Sequence, residues 1–210
     1  MKLFKWIAFW SLPLLILACG GADSSNTSAN SQTFGDLGPK PNSVGIQSET
    51  GDELIQFDFN GGETIIKYER LKNALNGRKD KPDKSKYYNQ KGDLVAEVKF
   101  KDDGFKLRDS NAKLYWKVKI KDGKIKISDN EEGENPFELQ ENENGKFKIK
   151  LSEEQLVEGK WKDGKITVRG KGGVFVVPAG RNHPAYTVLA LPKLSEEHRL
   201  IVVAELLRQL

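Results

Sequence analysis

The strongest constraint on this chain is a turn. Asp-Gly falls at Asp103-Gly104, Asp122-Gly123 and Asp163-Gly164, each time between segments in which apolar and polar residues alternate. A two-residue hairpin loop of the favoured type needs positive φ at both central positions, and Asp-Gly supplies it readily. Alternation with period two is the mark of a strand with one buried and one solvated face. Together they predict antiparallel hairpins and a mainly β domain. Residues 54–59 read as a further strand, Asn60-Gly61-Gly62 as a turn and 64–68 as the strand that returns from it. Residues 69–76 read as a short helix ending at Gly77, and 78–86 as a charged loop containing Pro82. The total comes to roughly ten to twelve strands.

An internal repeat supports the hairpin reading. Lys121-Asp122-Gly123-Lys124-Ile125 returns as Lys162-Asp163-Gly164-Lys165-Ile166, and at the same offset Gly104 matches Gly145. Two copies of a hairpin pair fit this better than a solenoid, which needs three or more repeats.

The C-terminal part changes character. Residues 184–191 are apolar and Pro192 ends them. Ser195 is placed as an N-cap, with Glu196 and Glu197 in the first turn, where the helix dipole favours acids. Leu200, Ile201, Val202, Val203, Ala204, Leu206, Leu207 and Leu210 then leave almost no polar side to the helix. Such a helix must be enclosed. The fold expected is an antiparallel β-meander closing into a barrel, with the apolar C-terminal helix in or on it; a β-sandwich with the helix on one face is the alternative.

The N-terminus has the layout of an export signal. Lys2 and Lys5 precede an apolar run from Trp6 to Leu17. That run is shorter than the roughly twenty residues a membrane-spanning helix needs. It ends in Ile16-Leu17-Ala18-Cys19, and Cys19 is the only cysteine, so an intrachain disulfide is impossible. Residues 20–50 are rich in Ser, Asn, Thr, Gly and Pro, a composition that does not order itself. The division expected is therefore 1–18 signal, 19–50 flexible tether and 51–210 a single β-rich domain. A tether of that length spans on the order of 30 Å root-mean-square.

Ile16-Leu17-Ala18-Cys19 resembles the lipobox of bacterial lipoprotein precursors. The resemblance implies diacylglyceryl transfer to the Cys19 thiol, cleavage before it and a membrane anchor in the cell envelope. Gly20 follows the cysteine where Asp often marks inner-membrane retention in enteric bacteria, which points toward the outer membrane. Strands followed by a terminal apolar helix also resemble the tubby-like architecture across 52–210, with Phe105-Lys106-Leu107-Arg108-Asp109 and Ile125-Lys126-Ile127-Ser128-Asp129 similar to its strand-then-Asp phrasing. That resemblance implies a barrel around the helix; no ligand-binding residues carry over.

The surface chemistry follows from hairpin register. A turn at Asp122-Gly123 sets Lys121 opposite Lys124, Ile120 opposite Ile125, Lys119 opposite Lys126 and Val118 opposite Ile127. A turn at Asp103-Gly104 sets Lys101 opposite Lys106, Phe100 opposite Leu107 and Lys99 opposite Arg108. With Lys117, these residues form a cationic strand face, and like charges directly opposite cost up to about 1 kcal/mol per pair. The anionic partners expected for it are lipid headgroups, lipopolysaccharide phosphates or an acidic polymer; no protein partner can be named. Two readings need no ligand: lysines solvating a sheet and discouraging edge pairing, or pairing with the acidic stretch that follows. Residues 99–126 hold ten bases and four acids, and 129–158 ten acids and three lysines. Removal of the signal takes the formal charge from +4 to +2, so the remaining protein is dipolar, not strongly basic.

Nucleic acid is not an expected partner, because aromatic residues are not interleaved with the lysines as single-strand binders require. Asp129-Asn130-Glu131-Glu132-Gly133-Glu134-Asn135 lacks the spacing of an EF-hand and reads as a plain acidic loop. No metal, cofactor or catalytic residue is expected. His183 and His198 are the only histidines, the first in a polar loop capping the apolar segment, the second exposed on the terminal helix. Neither Gly-x-Ser-x-Gly nor His-Glu-x-x-His occurs. The function expected is a membrane-anchored, non-enzymatic binding or structural module; a lipid or hydrophobic-ligand carrier and a carboxylate-dependent hydrolase are the alternatives.

Overall fold

The computed structural model describes residues 40–70, 72–142, 145–178 and 182–210. The expected signal, Cys19 and most of the expected tether lie outside them. The strands are β1 Ser43–Gln47, β2 Glu53–Asn60, β3 Glu63–Tyr68, β4 Asn73–Lys81, β5 Lys84–Asn89, β6 Leu94–Lys101 and β7 Gly104–Arg108. They continue with β8 Leu114–Lys121, β9 Lys124–Ser128, β10 Phe137–Asn142, β11 Lys146–Leu151, β12 Glu154–Lys162, β13 Lys165–Gly170 and β14 Gly173–Pro178. Each pairs antiparallel with its sequence neighbours, and β14 returns to β1, so the sheet is a closed barrel. Closure removes both sheet edges.

The barrel has two unlike ends. At the turn end the hairpins are tight: Asp122 and Gly123 have φ of 52° and 68°, and Asp163 and Gly164 have 52° and 76°. The register around Asp122-Gly123 is the one expected, from Lys121 opposite Lys124 back to Val118 opposite Ile127. At the loop end, side chains organise the connections. The Oδ1 atoms of Asn89, Asp109 and Asn130 each accept two backbone N–H bonds, at 2.7–2.9 Å. Such Asx loops replace the backbone pairing that the strands give up.

Four expectations are corrected. First, the β6–β7 turn is Asp102-Asp103, so Lys101 faces Gly104, Phe100 faces Phe105 and Lys99 faces Lys106. Moving the turn by one residue changes every partner but keeps every face, so the lysines stay outside. Gly104 belongs to the strand; a Cβ there would stand 2.1 Å from the Val118 carbonyl oxygen. Second, the helix expected at 69–76 is instead a turn, with Glu69 and Arg70 at φ of 50° and 56°, followed by the start of β4. Leu75 and Gly77 point into the core, and a Cβ on Gly77 would meet the Tyr87 ring at 2.4 Å. Gly77 is thus a floor for an aromatic ring, not a helix cap. Third, the loop expected at 78–86 is β4, a turn at Pro82-Asp83, and β5. Fourth, the sheet already includes Ser43–Gln47, a stretch assigned to the tether; Val44 and Ile46 are buried and the strand pairs with β2 over its whole length. Among the described residues the strands number fourteen, more than expected, because β1 is a short strand inside a polar, Gly- and Ser-rich stretch and the strands around Pro82 lack a clean alternating signature.

A barrel of this size does not fill itself with strand side chains, whereas about eight strands would. The C-terminal segment fills it. The 3-10 helix Pro184–Ala190 lies against β10 to β14, every one of its residues buried. Gly159 and Gly170 give it room: a Cβ on the first would meet Thr187 at 2.8 Å, and on the second the Ala190 carbonyl oxygen at 2.8 Å. Helix α1, Glu196–Gln209, then returns through the barrel with residues Leu200 to Leu207 buried without interruption. Burying an aliphatic side chain is worth about 1.5–3 kcal/mol, so the helix contributes on the order of 10 kcal/mol to the core it completes. The expected N-cap is present, Ser195 Oγ accepting from His198 N at 3.3 Å.

Candidate anion-binding face

The outward side chains of β5 to β9 form the cationic face, in a different arrangement from the one expected. The registers place Lys84, Lys99, Lys106 and Lys117 opposite one another across four consecutive strands. Nearer the turn end, Lys119 faces Lys126 and Lys121 faces Lys124. Lys84 extends a rung that sequence reasoning began at Lys99; its signal was hidden because Lys84 sits beyond Pro82, in the supposed loop.

Carboxylates answer part of this charge. The β9–β10 loop folds back over the sheet, and Glu131 pairs with Lys106 at 2.5 Å and with Arg108, while its carbonyl oxygen accepts from Lys117. The hydrogen bond from Lys106, with that of Arg108, holds the Glu131 carboxyl below its ordinary range. Lys126 pairs with Glu138 at 2.8 Å and lowers its pKa likewise, Lys84 with Glu97 at 2.8 Å, and Lys119 with Asp103 at 3.4 Å. Glu131 and Glu138 thus carry the described ion pairs between the acidic stretch and the basic one. Within it, Glu153 pairs with Lys150 at 4.0 Å and Glu154 with Lys171 at 3.9 Å.

Five cations of the face, Lys99, Lys101, Lys117, Lys121 and Lys124, have no carboxylate within ion-pair distance among the described residues, Lys117 reaching only the Glu131 backbone carbonyl. Two of them border a groove of about 450 Å³ on β8 and β9, lined by Lys119, Lys121, Asp122, Lys124, Lys126 and Ser128 and walled by Glu132 of the folded-back loop. Ammonium groups on adjacent strands, converging on one groove from outside the sheet, suit an anion with several oxygens, which accepts from more than one donor at once.

The polar groups inside the barrel have a different character. Glu205 is 1% exposed and accepts from the Tyr87 hydroxyl at 2.7 Å; burial pushes its carboxyl up, against the pull of Arg208. Arg208 donates to Thr64 Oγ1 at 2.7 Å and to the Gly61 carbonyl at 3.0 Å. At the other end of α1, Tyr68 donates to Glu197 at 3.0 Å and Trp116 Nε1 to His198 Nδ1 at 3.3 Å. His198, expected to be exposed, is half-buried beside Tyr115, and burial lowers its pKa. His183 is fully buried, and its Nδ1 accepts from Ala185 N at 3.1 Å, the capping role expected of it. These groups link the helix to the wall around it, and none lines the groove.

Compared with family models, curated proteins and solved structures, the chain matches none.

Proposed function

We propose that this chain is a lipid-anchored protein of the bacterial cell envelope, held by Cys19 and using the outer face of its barrel to bind an anionic envelope component. The lipobox-like Ile16-Leu17-Ala18-Cys19 supports the anchor, and Gly20 favours the outer membrane. The observation that carries the binding role is the groove on β8 and β9, where Lys121 and Lys124 stand opposite each other and, among the described residues, form no ion pair. Opposed lysines cost stability, so a ligand that collects their charge supplies a reason for them. The ligand chemistry is a phosphate-bearing lipid headgroup, a lipopolysaccharide phosphate or an acidic polymer. The barrel acts as a binding module, not an enzyme. A hydrophobic-ligand carrier is disfavoured by a lumen in which the terminal helix and the 3-10 helix are buried side by side. Element order, with the apolar helix last, supports a variant of the tubby-like architecture.

Two measurements test this. Labelled palmitate should enter the parent chain and not Cys19→Ala; equal labelling sinks the anchor. Detergent-solubilised protein should be retained on phosphatidylglycerol-coated beads at low salt, and the fourfold change Lys119→Gln, Lys121→Gln, Lys124→Gln, Lys126→Gln should elute at lower salt. Basic groups near an anionic surface contribute about 1 kcal/mol each, so the four together are worth up to about a thousandfold in affinity. A parent that is not retained, or a variant that elutes with it, rejects the groove as the site.

A further inference from the structure

The chain enters the barrel at the turn end. The Asn42 carbonyl accepts from Phe59 N at 2.8 Å, next to the β2–β3 turn, and the Lys40 ammonium reaches the Arg208 carbonyl on the last turn of α1. Arg208 itself donates to Gly61 in that same turn. The first described residue and the end of α1 therefore sit together at this end.

The same end gathers lysines. Three of its hairpins close on directly opposed pairs: Lys81 with Lys84, Lys121 with Lys124 and Lys162 with Lys165. Each pair outnumbers the single aspartate of its turn, Asp83, Asp122 or Asp163; against them stand Asp102 and Asp103 in the β6–β7 turn of the same end and Glu97, which pairs with Lys84 at 2.8 Å. Carboxylates dominate the opposite end, where the β9–β10 connection alone carries Asp129, Glu131, Glu132 and Glu134. With strands rising about 3.3 Å per residue and tilted in the barrel, the two ends lie about 20 Å apart. That exceeds the Debye length of about 8 Å at physiological salt. An anionic surface touching one end therefore barely acts on the other.

We infer that the turn end of the barrel is a membrane-docking surface: its three lysine pairs lie against anionic lipid headgroups, and the acidic loop end points away. This rests on the anchored, anion-binding reading above and adds an orientation to it. Lipid on Cys19 holds the barrel near the bilayer without choosing which way it faces; entry at Lys40 brings the turn end nearest, and the distribution of charge holds it there. The β8–β9 groove opens beside Lys121 and Lys124 and would then lie at the headgroup level.

The test is lysine footprinting of the full-length lipidated protein on vesicles of phosphatidylcholine with or without phosphatidylglycerol. A water-soluble acetylating reagent labels exposed lysines and mass spectrometry reads each site. On phosphatidylglycerol vesicles Lys81, Lys121, Lys124, Lys162 and Lys165 should be protected at least about threefold, relative to phosphatidylcholine and at low salt only, because the attraction is screened; Lys84, already paired with Glu97, is left out of the comparison. Lys91 and Lys113, exposed at the loop end, should label equally in both. Equal protection of the two ends, or protection of Lys91 and Lys113 alone, overturns the orientation while co-sedimentation with vesicles leaves the anchor standing. Co-sedimentation of Cys19→Ala at the parent's level overturns the anchor, and the footprint still decides the orientation.

Discussion

Tyr87→Phe removes one oxygen from the middle of the barrel, and its consequences can be worked out. The Tyr87 ring is 0% exposed and lies over Gly77, and its hydroxyl donates to Glu205 at 2.7 Å. Phe keeps the ring and its contacts, so the loss is the hydrogen bond alone. Such a bond is worth about 0.5–1.5 kcal/mol, rising to about 1.5–3 kcal/mol if the acceptor is charged, and the Glu205 carboxyl is left buried without its donor. For a domain of this size each kcal/mol moves Tm by about 2–4 °C, so the variant should melt about 1–12 °C below the parent. The sign of the pH effect also follows. Burial raises the Glu205 pKa in the fold, so the folded state holds this proton more tightly than the unfolded chain does. Stability from this group is complete below the unfolded carboxyl pKa and is lost as pH rises through the folded value. Glu205→Gln, which keeps an acceptor for Tyr87 and carries no charge, should flatten that decline. The assay is chemical denaturation from pH 4 upward, read by circular dichroism, for the parent and both variants. A Tyr87→Phe cost below about 0.5 kcal/mol would refute a stabilising bond from Tyr87 to Glu205. A parent and a Glu205→Gln variant whose stability changes identically with pH would refute the raised Glu205 pKa.

Three further outcomes are expected. Gly104→Ala, at φ of +141° and with a Cβ 2.1 Å from a carbonyl oxygen, should cost several times as much as Gly164→Ala, at φ of +76° with nothing within 4 Å; comparable denaturation midpoints would contradict this account of Gly104. Glu131→Gln should tighten retention on phosphatidylglycerol-coated beads by releasing Lys106 and Arg108, while changing stability by less than about 1 kcal/mol, as exposed pairs do; unchanged or weaker retention would mean that those two cations take no part in binding. Burial lowers the His198 pKa, so its NMR titration should fall below that of a histidine in the unfolded chain, and the fold should lose stability as pH drops below the ordinary histidine range; a normal titration would place the ring in water.

Local pattern carried most of the sheet. The hairpin at Asp122-Gly123, its register, the capping of α1 by Ser195 and the enclosure of an all-round apolar helix follow from φ preferences, period-two alternation and solvation, which act over a few residues. The lysines of β6 to β9 were therefore visible as one outward face before any partner strand was known. What stayed hidden depends on contacts distant in the chain. Residues 69–76 have a plausible helical composition, but their neighbours β3 and β5 make a strand the only way to close the sheet, and Gly77 is small because Tyr87 lies over it. Lys84 joined the lysine rung only when β5 was placed beside β6. Glu131 was one acid among ten in its stretch until the loop turned it onto Lys106 and Arg108.

The sequence by itself determined antiparallel hairpins, a wet basic face opposite an apolar one, and a helix that had to be covered. Only the tertiary structure decided that fourteen strands close around that helix, which cations keep free charge, and that the chain enters where the lysine pairs gather. The physical reason is range: torsional preference and amphipathic period are written within a few residues, whereas closure, charge pairing and the sharing of a lumen are settled between segments that meet only after folding.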